Sequence, residues 1–193
     1  MVSVIAQVEQ LVRRSLLENK MFLSQHLDIK NKKWKNRSCG VISLKIVLNY
    51  WKGEKFNKTS EELIKIALKE KAYLKGIGWK HKELAKIANK FGLKAKNFDW
   101  SKEENLKAFH KFLWYLKRGP VIVSVYKDFQ FGKNGHLIVA LKSDEKNIYI
   151  LEPAAKKRND IFQIIKRDKF IKGWKKRIIF IFPPKNIVKK VKS

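Results

Sequence analysis

The apolar pattern of this chain changes period at Gly119-Pro120, and that change restricts its possible folds more than any other feature. Before it, apolar residues recur at helical spacing. After it, they form short β-branched runs divided by turn residues. Each kind of element must bury its apolar surface against another, so the two halves are expected to face each other in an α+β arrangement.

CGVISLKIVLNYW (39–51) is apolar nearly all round, with Lys45 and Asn49 as exceptions. It predicts a helix buried on most sides and ended by Gly53. Thr59 with Glu62 three residues on predicts a capping box and a second helix. Leu84, Ile87, Ala88 and Phe91 share one face of a third, over about 79–91, with Gly92 as its stop. A fourth follows Ser101, boxed by Glu104, and ends at Gly119-Pro120. Val4, Ile5, Val8, Leu11, Val12 and Leu16 predict an amphipathic packing helix over 3–19. FLSQHLDI (22–29) reads as a strand and KNKKWKNRS as a loop. VIVSVY, HLIVALK, NIYILE and RIIFIF predict strands, with IFQII (161–165) as a further one. No internal repeat and no Gly/Ser/Pro-rich linker divides the chain. The expectation is one domain over 22–193, preceded by a helical extension over 1–21.

A hydrophobic content of 45% excludes a disordered chain. No apolar run approaches the roughly 20 residues that span a bilayer, so no transmembrane segment is expected. MVSVIAQVEQLVRRSLLENK lacks the basic-then-apolar order of a secretory signal. The single cysteine allows no internal disulfide, and a reducing, cytoplasmic setting is expected. The net charge of +28 comes from 38 lysines and only seven arginines, scattered over nearly every segment. Bidentate recognition of phosphates and bases favours arginine. The charge therefore reads as a solvated lysine-rich surface, with weak, salt-sensitive attraction to nucleic acid or acidic partners.

A thiol is a useful nucleophile only as thiolate, which a helix N-terminus or an imidazolium favours. Cys39 opens the most apolar predicted helix, near the positive end of its dipole. Gly40 beside it leaves room for a substrate backbone. Position alone leaves a small buried hydrophobe as an equal reading of Cys39. Four histidines compete as its base. His110 lies inside the fourth helix and His81 in the first turn of the third. His26, in the segment before Cys39, stays open. His136 follows Gly135 and opens a strand, which holds a ring rigidly at a cleft. No histidine pair, and no histidine with Cys39, has metal-ligand spacing, so no metal and no cofactor are expected. An imidazole base needs an orienting partner. If 136–142 and 148–152 form a hairpin, Glu152 returns beside His136, while Asp144 sits at the far turn.

SCGVISLKIVLNYW resembles the cysteine-bearing helix of the bacteriocin-processing (double-glycine leader) peptidase family and its stand-alone relatives, which are papain-like. GHLIVAL is similar to that family's histidine strand, IYILEPA to its segment of strand, acid and proline, and GIGWKHKELAKIANKFGL to the helix between its cysteine and its histidine. The similarity covers about residues 22–182. It implies a papain-like cysteine peptidase fold and a Cys39–His136–Glu152 triad acting through a thioester acyl-enzyme. It also implies an oxyanion-binding glutamine upstream of the cysteine, for which Gln25 is the match and Asn36 the alternative. Gly40 and Gly135 are the expected substrate contacts, Trp34 and Trp79 are read as packing, and the expected partner of a monomeric enzyme is a peptide or protein, with a leaning to acidic ones. The family usually has aspartate where this chain has Glu152, one methylene longer. Two other readings remain: a basic binding module that kept the fold and lost the chemistry, and an amidase or acyl transferase with the same residue order.

Overall fold

The computed structural model describes residues 20–184; the expected helix over 3–19 lies outside the described residues. The helices are α1 (Cys39–Lys52), α2 (Ser60–Lys69), α3 (His81–Lys90), α4 (Asn105–Leu116) and α5 (Arg167–Gly173). A small hairpin joins β1 (Tyr73–Leu74) to β2 (Gly78–Trp79). The main strands are β3 (Lys94–Asp99), β4 (Val121–Tyr126), β5 (Gly135–Ser143), β6 (Asn147–Leu151), β7 (Phe162–Lys166) and β8 (Trp174–Phe182). They form one six-stranded sheet in the order β3-β8-β4-β5-β6-β7, antiparallel throughout. The fold is α+β, with the helical N-terminal half against the sheet.

The sheet is buried on both faces, which is why β4 and β5 read as nearly continuous apolar runs. Leu137, Val139 and Leu151 join α1, α2 and α3 in one cluster. Ile138, Ala140, Ile148 and Ile150 join α4 and α5 in a second. Strand periodicity divides neighbouring residues between the two cores. Helix α4 thus covers the face opposite α1, which its place in the N-terminal half did not suggest. The first core also takes in Met21, 1% exposed, so packing reaches one residue before position 22.

The capping box of α2 is present: the Glu62 amide donates to Thr59 Oγ1 at 3.1 Å and the Thr59 amide to Glu62 Oε2 at 2.8 Å. The one expected on α4 is not. Glu104 is itself the N-cap, and Ser101 is held by its amide bond to Asp99 Oδ1 at 3.0 Å, a local side-chain turn that competes with capping. Helix α3 starts at His81, because Trp79 is taken by β2. Residues 22–29 form no strand but a turn. Asp28 Oδ2 accepts from the Ser24 amide at 2.7 Å while the Asp28 amide donates to the Ser24 carbonyl at 2.8 Å. Strand β3 was not legible in its sequence, KAKNFD. It lies at the sheet edge, where lysines and exposed positions are usual and apolar alternation is weak.

Candidate active site

Cys39 is the first residue of α1 and partly exposed, while the nine residues Gly40–Leu44 and Ile46–Asn49 are buried. Burial sets the helix deep between the two halves and leaves its N-terminus at their junction. The preceding Ser38 does not cap it: its hydroxyl turns back to the Trp34 carbonyl at 2.7 Å. The first turn of α1 also contains no acidic residue. Its N–H groups therefore keep their attraction for an anion.

Trp79 fixes this end of the helix. Its indole N–H donates to the Arg37 carbonyl at 2.6 Å, two residues before Cys39. Trp34, Tyr73 and Trp79 pack ring against ring, with centroids 5.0 to 5.9 Å apart. A Cβ placed on Gly40 would lie 2.6 Å from Trp79 Cγ. Glycine at position 40 thus admits the tryptophan, a packing reason beside the expected substrate approach. At Gly135 a Cβ would meet only Lys175 Nζ, at 3.5 Å, so that position is open.

His136 is the second residue of β5. Its Nε2 lies 2.6 Å from Glu152 Oε1, and the two side chains are 11% and 17% exposed. With Nε2 taken, Nδ1 is the nitrogen left for the His136 hydrogen bond to Cys39. The Leu137 amide also donates to the Cys39 sulfur, while Ser43 Oγ donates to the Leu137 carbonyl at 3.3 Å. Leu137, through its amide and its carbonyl, therefore sets the height of α1 against the histidine. The Leu137 contact is main-chain, so no side-chain motif announces it.

Glu152 follows β6 directly. Its carboxylate Oε1 also accepts from the Ala154 amide at 2.7 Å, and its own amide donates to the Ile161 carbonyl at 2.7 Å. The register explains how it reaches His136. Leu151 pairs with Val139, so the next residue falls opposite Ile138, diagonal to His136 and on the same face. That depends on a register shift between Ala140 and Lys142. Continuing the Lys142–Tyr149 register unshifted would set Glu152 opposite Val139, on the other face.

The electrostatics follow from this geometry. Around Cys39, burial favours the neutral thiol, but the hydrogen bond and charge of His136 and the Leu137 amide outweigh it, and the pKa falls. Around His136, burial favours the neutral ring, but the bonds to Cys39 and Glu152 outweigh that and raise it to about 10. The arrangement favours a thiolate–imidazolium pair with a carboxylate behind the ring.

The remaining expected residues divide. Gln25 is 5% exposed; its amide N–H donates to the Pro153 carbonyl at 2.7 Å, one residue beyond Glu152. Its side-chain Oε1 is buried with no hydrogen-bond partner, the state of a group awaiting a ligand or water. Asn36 is exposed in the loop before Cys39. His26 bonds through its backbone to Ser24 Oγ, and its pKa is lowered by burial and then by Lys156 and Lys35. His81 neighbours Arg177 and Asp99, and His110 is exposed on α4. Asp144 is engaged by Lys146, Asn147 and Tyr149 at the hairpin turn. Among the described residues no His, Cys, Asp and Glu cluster could hold a metal, and no helix is long and apolar enough to cross a membrane.

Comparison with known proteins gives no significant match among curated sequences. Among the solved structures that share the fold at low identity are three peptidases. One is described as a C39-like peptidase from Bacillus anthracis, with 18% identity, 85% of this chain and 94% of that one covered, and a TM-score of 0.60. Another is the peptidase domain of Streptococcus ComA, a bifunctional ABC transporter involved in quorum sensing, with 19% identity, coverages of 77% and 93%, and a TM-score of 0.55. The third is a double glycine motif protease from an AMS/PCAT transporter in complex with the leader peptide, with 22% identity, coverages of 76% and 84%, and a TM-score of 0.53. The helix, strand and acid described above all fall within residues 30–186, where the sequence matches the peptidase C39 family, and with most of its length matched the chain belongs to that family.

Proposed function

We propose that the chain is a cysteine peptidase in which Cys39 is the nucleophile, His136 the acid–base and Glu152 the orienting acid. The observation that carries this reading is a single buried imidazole bonded to the only thiol on one side and a carboxylate on the other. The Cys39 thiolate attacks the peptide carbonyl carbon and forms the C–S bond. The carbonyl oxygen becomes an oxyanion, held by the uncapped backbone amide of Cys39 and by the Nε2–H of the Gln25 side chain. The tetrahedral species collapses, the C–N bond breaks, and the imidazolium gives its proton to the leaving amine. Water then attacks the thioester with His136 as base, releasing the acid and restoring the thiol.

Membership of the C39 family favours a peptide as substrate, and a leader peptide is bound in one of the similar structures. The rim of the site favours acidic ones. Lys35, Lys127 and Lys156 act on His26 next to Gln25, and Lys175 stands over Gly135. None of these four makes an ion pair among the described residues.

The test is alkylation of Cys39 by iodoacetamide near neutral pH, alongside turnover of a peptide bearing glutamates. Wild type should label fast and cleave; His136→Ala should label slowly and not cleave. Equal, slow labelling in both would rule out the ion pair.

A further inference from the structure

Gln25 stands on a segment that neither helix nor strand secures, yet an oxyanion donor must be held within a fraction of an ångström. What secures it is the loop after Glu152. The Gln25 amide donates to the Pro153 carbonyl at 2.7 Å and Ser24 Oγ donates to the Ala155 carbonyl at 2.5 Å. Arg158 then closes the frame. Its guanidinium grips both oxygens of Asp28, with Nη1 to Oδ2 at 2.7 Å, and the same Nη1 donates to the Phe22 carbonyl at 2.7 Å. Asp28 Oδ2 is also the acceptor that closes the turn on the Ser24 amide. Arg158 therefore spans Phe22 and Asp28, on either side of Gln25.

We infer that Arg158 is a positioning residue: through Asp28 and the Phe22 carbonyl it locks the 22–28 turn to the loop that carries Glu152, and so sets where the Gln25 amide stands. This rests on the peptidase reading above. An exposed ion pair does little for stability, and the Arg158 side chain is 48% exposed. A bidentate fork shared with a carbonyl does fix geometry. The thiol is mounted separately, on α1, so loosening the frame should misplace the oxyanion donor and leave the Cys39–His136 pair intact. Lysine is not an equivalent, because one ammonium cannot reproduce the planar fork.

The experiment compares wild type with Arg158→Ala, Arg158→Lys, Gln25→Ala and the double variant Arg158→Ala/Gln25→Ala. It reads kcat and KM on a glutamate-bearing peptide, the iodoacetamide rate of Cys39, and hydrogen exchange of the Gln25 backbone amide. Arg158→Ala should lower kcat about tenfold, part of what losing an oxyanion donor costs. KM and alkylation should stay within about twofold, and Arg158→Lys should recover little. In the Gln25→Ala background the further loss should vanish, the mark of two residues acting as one unit. Exchange at Gln25 should quicken severalfold in Arg158→Ala. Independent, multiplying losses, an equal fall in alkylation, or unchanged exchange at Gln25 would each overturn the inference. A wild type that neither cleaves nor labels would instead sink the peptidase reading, with Gln25 exchange still deciding whether Arg158 holds the turn.

Discussion

Replacing Glu152 asks whether the carboxylate or merely its place in the fold supports the reactive thiolate. In Glu152→Gln the shape is kept and the charge lost. The bond at stake is a 2.6 Å contact between side chains that are 11% and 17% exposed. Coulomb attraction over about 4 Å at an effective dielectric of 20 is about 4 kcal/mol, an upper bound. Mutational data for hydrogen bonds to charged groups give about 1.5–3 kcal/mol. Glu152 also repels the Cys39 thiolate directly, which offsets part of its effect on the imidazolium. The ion pair should therefore lose between about tenfold and a hundredfold in population, since about 1.4 kcal/mol is one decade. The assay is the second-order rate of iodoacetamide alkylation near pH 6, with a thermal melt to show that the fold is retained. Glu152→Asp is the sharper variant. Shortening the chain by about 1.5 Å opens the contact to roughly 4 Å, beyond hydrogen-bond range, unless the backbone moves. It should cost as much as glutamine although aspartate is the usual residue of the family. An alkylation rate within twofold of wild type in both folded variants would refute the role given to Glu152.

The ion pair also sets a pH profile: lowering the pH through the depressed Cys39 pKa protonates the thiolate, and raising it through about 10 removes the imidazolium proton that the leaving amine needs. Peptide turnover should fall on both sides, whereas alkylation should fall only on the acid side, as stopped-time assays across pH can show. Gly40→Ala should destabilise by about 1–3 kcal/mol in denaturant unfolding, because its Cβ meets Trp79 Cγ at 2.6 Å and the rings around Trp79 leave little room to yield. Thr59→Ala should cost about 1 kcal/mol by the same measurement, through loss of the α2 cap, with Cys39 alkylation unchanged.

The elements that hold the proposed catalytic residues were legible in the sequence because their signals are local. Apolar residues all round 39–51 specify a buried helix whose first residue is the thiol, and alternating or continuous runs after Pro120 specify the strands. The hairpin that returns Glu152 toward His136 followed from its turn residues. Failures came where a local pattern lost to a neighbour. Ser24 and Asp28 bond each other's backbone and turn a strand-like segment, and β3 hides among lysines at a sheet edge.

The sequence by itself determined the fold class, the order of thiol, imidazole and acid, and the buried helix that presents the thiol. Tertiary structure alone decided that Glu152 lies on the face of His136, because a register shift between Ala140 and Lys142 reverses which side chains share a face. It alone decided that the Leu137 amide meets the Cys39 sulfur, and that the Gln25 backbone amide is bonded to the Pro153 carbonyl. Backbone donors carry no residue identity, and these contacts join segments far apart in the chain. Only the folded arrangement brings them within bonding distance.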